Sequence, residues 1–142
     1  MRALLTAVLI SMLVPPVLSD TTNRAKQISP APGVFVGGVG LECRSKPETW
    51  VQFVLMTKDR EKLGIAKFED DDVTYDFWRI TKTTPRHYIA RDEEKKPKEI
   101  ILDRQKLEMS YGLDYWCETM SISDLHKNAG NHLRALLSEN KI

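Results

Sequence analysis

Cys43 and Cys117 are the only cysteines in this 142-residue chain, and the residues ahead of them make that pair decisive. Arg2 precedes an apolar run at 3–18, and Val17 and Ser19 supply the small-residue exit of a secretory leader. The run is short for a bilayer span, which needs about 20 apolar residues, and Pro15-Pro16 would interrupt its helix. Cleavage after Ser19 is expected, giving a periplasmic or secreted product that begins near Asp20 and has no membrane span. No cysteine lies at the cut, so a lipid-modified terminus is not expected. In an oxidising compartment, two cysteines are read first as one disulfide.

The surroundings of both cysteines agree with that reading. Val39, Leu41 and Cys43 alternate with Gly40, Glu42 and Arg44, the pattern of a half-buried strand that turns its cysteine inward. Tyr115-Trp116-Cys117-Glu118 is strand-like as well. The bridge would tie the first strand of a domain to its last, closing a loop worth roughly 4–5 kcal/mol on the chain-entropy estimate. Neither cysteine has a second cysteine or a histidine at ligand spacing, which argues against a metal site.

Charge narrows the partners. The formal net charge is +1, and without Arg2 the signs balance, with both mixed along the chain as in Lys58-Asp59-Arg60-Glu61-Lys62. A nucleic-acid surface shows a basic excess or stripe, so neither nucleic acid nor an anionic membrane is expected.

The chain divides into a signal peptide at 1–19, a polar lead-in with Pro30 and Pro32 at 20–33, expected to be flexible, a β domain at 34–121, and a C-terminal helix and tail at 122–142. Strand candidates at 34–36, 39–44, 50–57, 63–68, 73–83, 86–91, 99–103, 106–111 and around Cys117 are separated by charged turns of hairpin length. That spacing predicts a mainly β fold, an antiparallel meander closed as a small barrel or folded as a sandwich. From Ile122 the apolar period becomes helical: Ile122, Leu125, Ala129, Leu133 and Leu136 form one stripe. Ser121 and Asp124 resemble a capping box. The stripe either packs on the sheet or offers Leu125, Leu133 and Leu136 as a face for self-association or a partner.

No catalytic set assembles along the sequence. His126 and His132 are six apart on one helix, roughly 120° around it, and do not align as two ligands; His87 starts a strand. The run Glu69-Asp70-Asp71-Asp72 is contiguous and lacks the glycine of a calcium loop, so it is read as a hairpin turn. There is no Gly-x-Ser-x-Gly or Ser-x-x-Lys motif. No metal or other cofactor is expected. Trp50, Trp78 and Trp116 lie on three strand candidates, each opposite in parity to a neighbour read as buried (Val51 and Phe53; Phe77; Cys117). All three would then face outward, where tryptophans stack on sugars or anchor protein contacts. The competing reading is ordinary packing, with runs such as 50–56 covered on both faces and the helix supplying one cover.

The leader, the early strand cysteine, the Ile101-Leu102-Asp103-Arg104 hairpin and the final strand cysteine together resemble small exported bacterial β-rich proteins of uncharacterised function, over residues 41–118. The resemblance implies a fold and no activity. Asp103 in that hairpin is read as the start of a turn, accepting backbone hydrogen bonds. Periplasmic disulfide-closed barrels that inhibit lysozyme share the size and cysteine placement, but their Ser-Gly-x-x-Tyr segment is missing. Ser110-Tyr111-Gly112 has similar residue types in another order, so that likeness is one of fold alone.

The expected function is a non-catalytic binding module that uses an aromatic surface or a barrel mouth to hold a protein or an envelope glycan. The alternatives are a small hydrolase with carboxylates brought together by folding, or a structural envelope component that associates through its helix.

Overall fold

The computed structural model describes residues 28–47, 49–92 and 98–139. The expected leader and residues 20–27 lie outside the described residues. Among the described residues eight strands follow one another: β1 (Val39–Ser45), β2 (Val51–Met56), β3 (Lys62–Glu69), β4 (Asp72–Thr83), β5 (His87–Arg91), β6 (Glu99–Asp103), β7 (Glu108–Tyr111) and β8 (Leu113–Met120); one α-helix, α1 (Ile122–Glu139), comes after them. Each strand pairs antiparallel with the next, and β8 returns to β1, so the sheet is a closed barrel rather than a sandwich. Closure leaves no unpaired sheet edge.

The seam between β1 and β8 carries the disulfide. Cys43 and Cys117 are direct cross-strand partners, bonded, with Cα atoms 4.0 Å apart. The bridge therefore staples the one pairing that joins the first strand to the last.

Alternation sorts the side chains into two clusters. Leu41, Val54, Met56, Leu63, Ile65, Trp78, Tyr88, Ile100, Leu102, Met109 and Tyr115 pack with Cys43 as the first. An eight-stranded barrel has an interior about wide enough for side chains to fill. The second cluster lies under the helix: Phe53 and Leu55 of β2 and Val73 and Tyr75 of β4 meet Phe35, Leu125, Ala129 and Leu133. The end of β2 is thus covered on both faces, which is why Phe53 to Met56 is apolar and buried without alternation.

Two glycines make the second cover possible. A Cβ on Gly40 would lie 2.5 Å from Leu125 Cβ, and one on Gly64 would lie 2.6 Å from Phe35 Cζ. Helix and Phe35 seat against bare backbone at these points.

Local chemistry sets the breaks. Asp70, at φ 56°, helps form the tight turn from β3 to β4. Asp103 Oδ1 accepts from the backbone N–H of Gln105 and of Lys106, both at 2.9 Å, as the sequence suggests. Ser121 Oγ accepts from Asp124 N at 3.0 Å and caps α1.

Two expectations need correcting. Residues 34–36 are not a strand: Gly33–Phe35 is a 3-10 turn that drops Phe35 into the second cluster. In the described part of the lead-in, Ser29 bonds to Asp72 through its N–H (2.9 Å) and its hydroxyl (2.7 Å). The apolar helix stripe ends at Leu133; Leu136 is 42% exposed, while Leu125 and Leu133 are buried against the barrel and unavailable to a partner.

Candidate functional site

The seam also shapes the outer surface. With Cys43 opposite Cys117, antiparallel register places Arg44 opposite Trp116 and Glu42 opposite Glu118. These four point away from the barrel interior and, with Lys46 from the β1–β2 connection, line a groove of about 480 Å³. Trp116 is 45% exposed. Lys46 Nζ sits 5.3 Å from the centre of its ring, a cation–π distance.

The polar walls are ordered by their own contacts. Arg44 Nη2 donates to Glu42 Oε2 at 2.5 Å, and Asn128 of α1 donates to Glu42 Oε1 at 3.1 Å. Glu42 is nearly covered and held from both sides; Arg44 stays exposed at the groove edge. The groove thus offers a flat aromatic face, two cations and the Glu118 carboxylate on a sheet that the disulfide keeps from spreading.

The three tryptophans separate. Trp116 faces outward and forms part of the groove. Trp50 is 62% exposed just before β2, and its backbone exchanges bonds with Ser45: Trp50 N donates to Ser45 Oγ at 3.1 Å and Ser45 N donates to the Trp50 carbonyl at 3.0 Å. Trp78 overturns the outward reading: it is 5% exposed, whereas its neighbour Phe77, read as buried, is 52% exposed. Trp78 packs edge-on against Tyr111 with ring centres 5.4 Å apart, in the barrel core. The parity is inverted because the buried face of β4 switches along the strand: Val73 and Tyr75 are buried under the helix with Thr74 and Asp76 exposed, whereas Trp78 is buried in the barrel core.

The groove partners of Trp116 escaped the sequence reading, although a signal was present. Once Cys43 and Cys117 are paired, 44 must face 116 and 42 must face 118 in an antiparallel seam.

A second polar cluster combines serine, histidine and aspartate without the geometry of a nucleophile. His126 Nε2 lies 2.6 Å from the Ser29 carbonyl oxygen, which can only accept, so Nε2 carries the proton. Nδ1 then accepts from the Tyr75 hydroxyl at 2.7 Å. The Ser29 hydroxyl donates to Asp72, and both His126 nitrogens are engaged elsewhere, so no imidazole base sits on the serine oxygen. Hydrogen bonds from Ser29 hold the Asp72 carboxyl below the usual range, and burial pushes the Tyr75 phenol well up. The cluster binds lead-in, helix and β4 together. His132 lies between Phe53 and Phe68, 5.4 Å from each ring.

Among the described residues no group of three or more histidine, cysteine, aspartate or glutamate side chains is placed to hold a metal, and no helix is long and apolar enough to cross a membrane. No protein family, curated protein or solved structure matches the chain.

Proposed function

We propose that this protein is an exported, non-catalytic binding module that holds a saccharide segment of the cell envelope in the Trp116 groove. The observation that carries this reading is a half-exposed indole flanked by Arg44, Lys46 and Glu118 on a stapled sheet face. The apolar face of a sugar ring stacks on Trp116 once the flexible Lys46 side chain swings aside, and the charged groups at the edge donate to and accept from its hydroxyls. Rigid walls keep the ordering cost of binding low. A single stacking platform contributes about 1 kcal/mol beyond area burial, so affinity for one short segment is modest. Calorimetry with soluble envelope-glycan fragments tests this: binding that disappears in Trp116→Ala and persists in Trp50→Ala supports the groove. Equal binding by Trp116→Ala contradicts it.

The Glu42–Glu118 register favours one second reading, hydrolysis by a carboxylate pair, since glycosidases use two carboxyl groups flanking the scissile bond. Both oxygens of Glu42 are engaged, by Arg44 and Asn128, which suits a fixed wall better than an acid that must release and regain a proton. Release of a reducing end from bound glycan, abolished in Glu118→Gln, would establish the enzyme instead.

A further inference from the structure

On the opposite side of the molecule from the β1–β8 seam, register assembles a row of cations that are far apart in sequence. Lys62 of β3 pairs with Arg79 of β4, and Arg79 pairs with Arg91 of β5. All three are exposed. Like charges placed directly across strands are destabilising, so such a row costs the fold stability unless an anion joins it. Arg91 has one, Glu99 at 3.1 Å. Neither Lys62 nor Arg79 forms an ion pair among the described residues. Asp59, in the β2–β3 turn, is turned into its own loop, accepting from Thr57 Oγ1 at 2.7 Å and Glu61 N at 3.0 Å, and the Lys62 charge acts on it only as the least of its influences.

Beside that pair lies an aromatic surface. Phe77 sits opposite Gly64 in the register, so no β3 side chain covers it. Phe35 stacks on it nearly parallel, 5.7 Å between centres and 12° between planes. Parallel stacking uses one face of a ring, and Phe77 remains 52% exposed, leaving the other face open. Lys62, Phe77 and Arg79 line a depression of about 300 Å³, at the small end of the range for ligand sites.

We propose that this depression is a second binding site, for a small aromatic anion whose ring stacks on Phe77 while its carboxylate or phosphate bridges Lys62 and Arg79. The ligand's acidic group supplies the missing countercharge to the cross-strand cations, and the phenylalanine supplies the platform. A flat ring carrying one acidic group fits both demands at once.

Amide-resolved NMR titration of the whole protein with phenyl phosphate, inorganic phosphate and benzyl alcohol tests the site. Phenyl phosphate is expected to shift the amides of Lys62, Gly64, Phe77 and Arg79 and to bind roughly 10-fold more tightly than either half-ligand. Arg79→Gln with Lys62→Gln removes that binding, and Phe77→Ser reduces phenyl phosphate to the level of inorganic phosphate. These positions are exposed, and an unchanged spectrum elsewhere shows the variants are folded. Trp116→Ala leaves the titration unaltered, which separates this site from the groove. Scattered shifts, insensitivity to the Arg79→Gln pair, or binding to phosphatidylglycerol vesicles without binding of phenyl phosphate would each overturn the proposal, the last in favour of a lipid surface.

Discussion

Leu125 occupies the space that Gly40 leaves empty: a Cβ on Gly40 would lie 2.5 Å from Leu125 Cβ and 3.0 Å from the Ser121 carbonyl oxygen. One position without a side chain thereby fixes how closely the helix lies on the barrel. Gly40→Val forces the helix off and should cost about 1–3 kcal/mol by overpacking. Leu125→Ala, at a fully buried position, should cost about 2–5 kcal/mol. Because the two share one space, the double variant should be less destabilised than the sum by about 0.5 kcal/mol or more. Denaturant unfolding of the four proteins closes the cycle, and strict additivity would show that the contact is not shared.

The seam disulfide closes a loop of 74 residues in sequence. Replacing both Cys43 and Cys117 by alanine should lower unfolding free energy by about 4 kcal/mol, within the 2–5 kcal/mol seen for native bridges in small domains. A loss below about 1 kcal/mol by chemical denaturation would mean the β1–β8 pairing needs no staple.

Asp103 sets an acid limb of stability. The backbone N–H of Lys106 is the strongest of the influences that hold its carboxyl at about 2, with Arg86 Nε at 3.0 Å adding to it. The unfolded value is about 3.9, so the folded form binds the proton less readily. The contribution is fully present above about pH 4 and is lost as pH falls through the folded value near 2. Asp103→Asn should therefore flatten the pH dependence of the unfolding midpoint between about pH 2 and 4. An unchanged slope would show that the turn does not depend on the charge.

The helix should act as a cover rather than a nucleus. Truncation after Ser121 leaves all eight strands and the disulfide in place but bares Phe53, Leu55, Val73 and Tyr75. The truncated chain should keep its β circular-dichroism signal and bind more hydrophobic dye or self-associate. Loss of β structure would make the second cluster part of the nucleus, and unchanged dye binding would mean the stripe was never a cover.

Sequence was most informative where one residue acts locally. The strand alternation around Cys43, the turn at Asp103 and the cap at Ser121 each depend on neighbours within a few positions, and each is found where it was read. Trp78 and Phe77 are inverted because the alternation of Val73, Tyr75 and Phe77 belongs to the face under the helix, while the barrel interior takes Trp78 from the other face, and the sequence does not mark the switch. Phe35 and Ser29 act across long separations, on Gly64, Asp72 and His126, and no local pattern announces them. The Lys62–Arg79–Arg91 row exists only once three strands are in register. The groove stands between these cases: its partners follow from the disulfide by counting outward along two strands.

Amide-resolved titration with soluble envelope-glycan fragments tests most directly whether the face across the stapled seam is the binding surface. Shifts are expected to concentrate at Glu42, Arg44, Lys46, Trp116 and Glu118, together with the indole N–H of Trp116, and to vanish in Trp116→Ala. Shifts confined to the barrel end near Trp78 and Tyr111, or to the exposed end of the helix around Leu136, would contradict it.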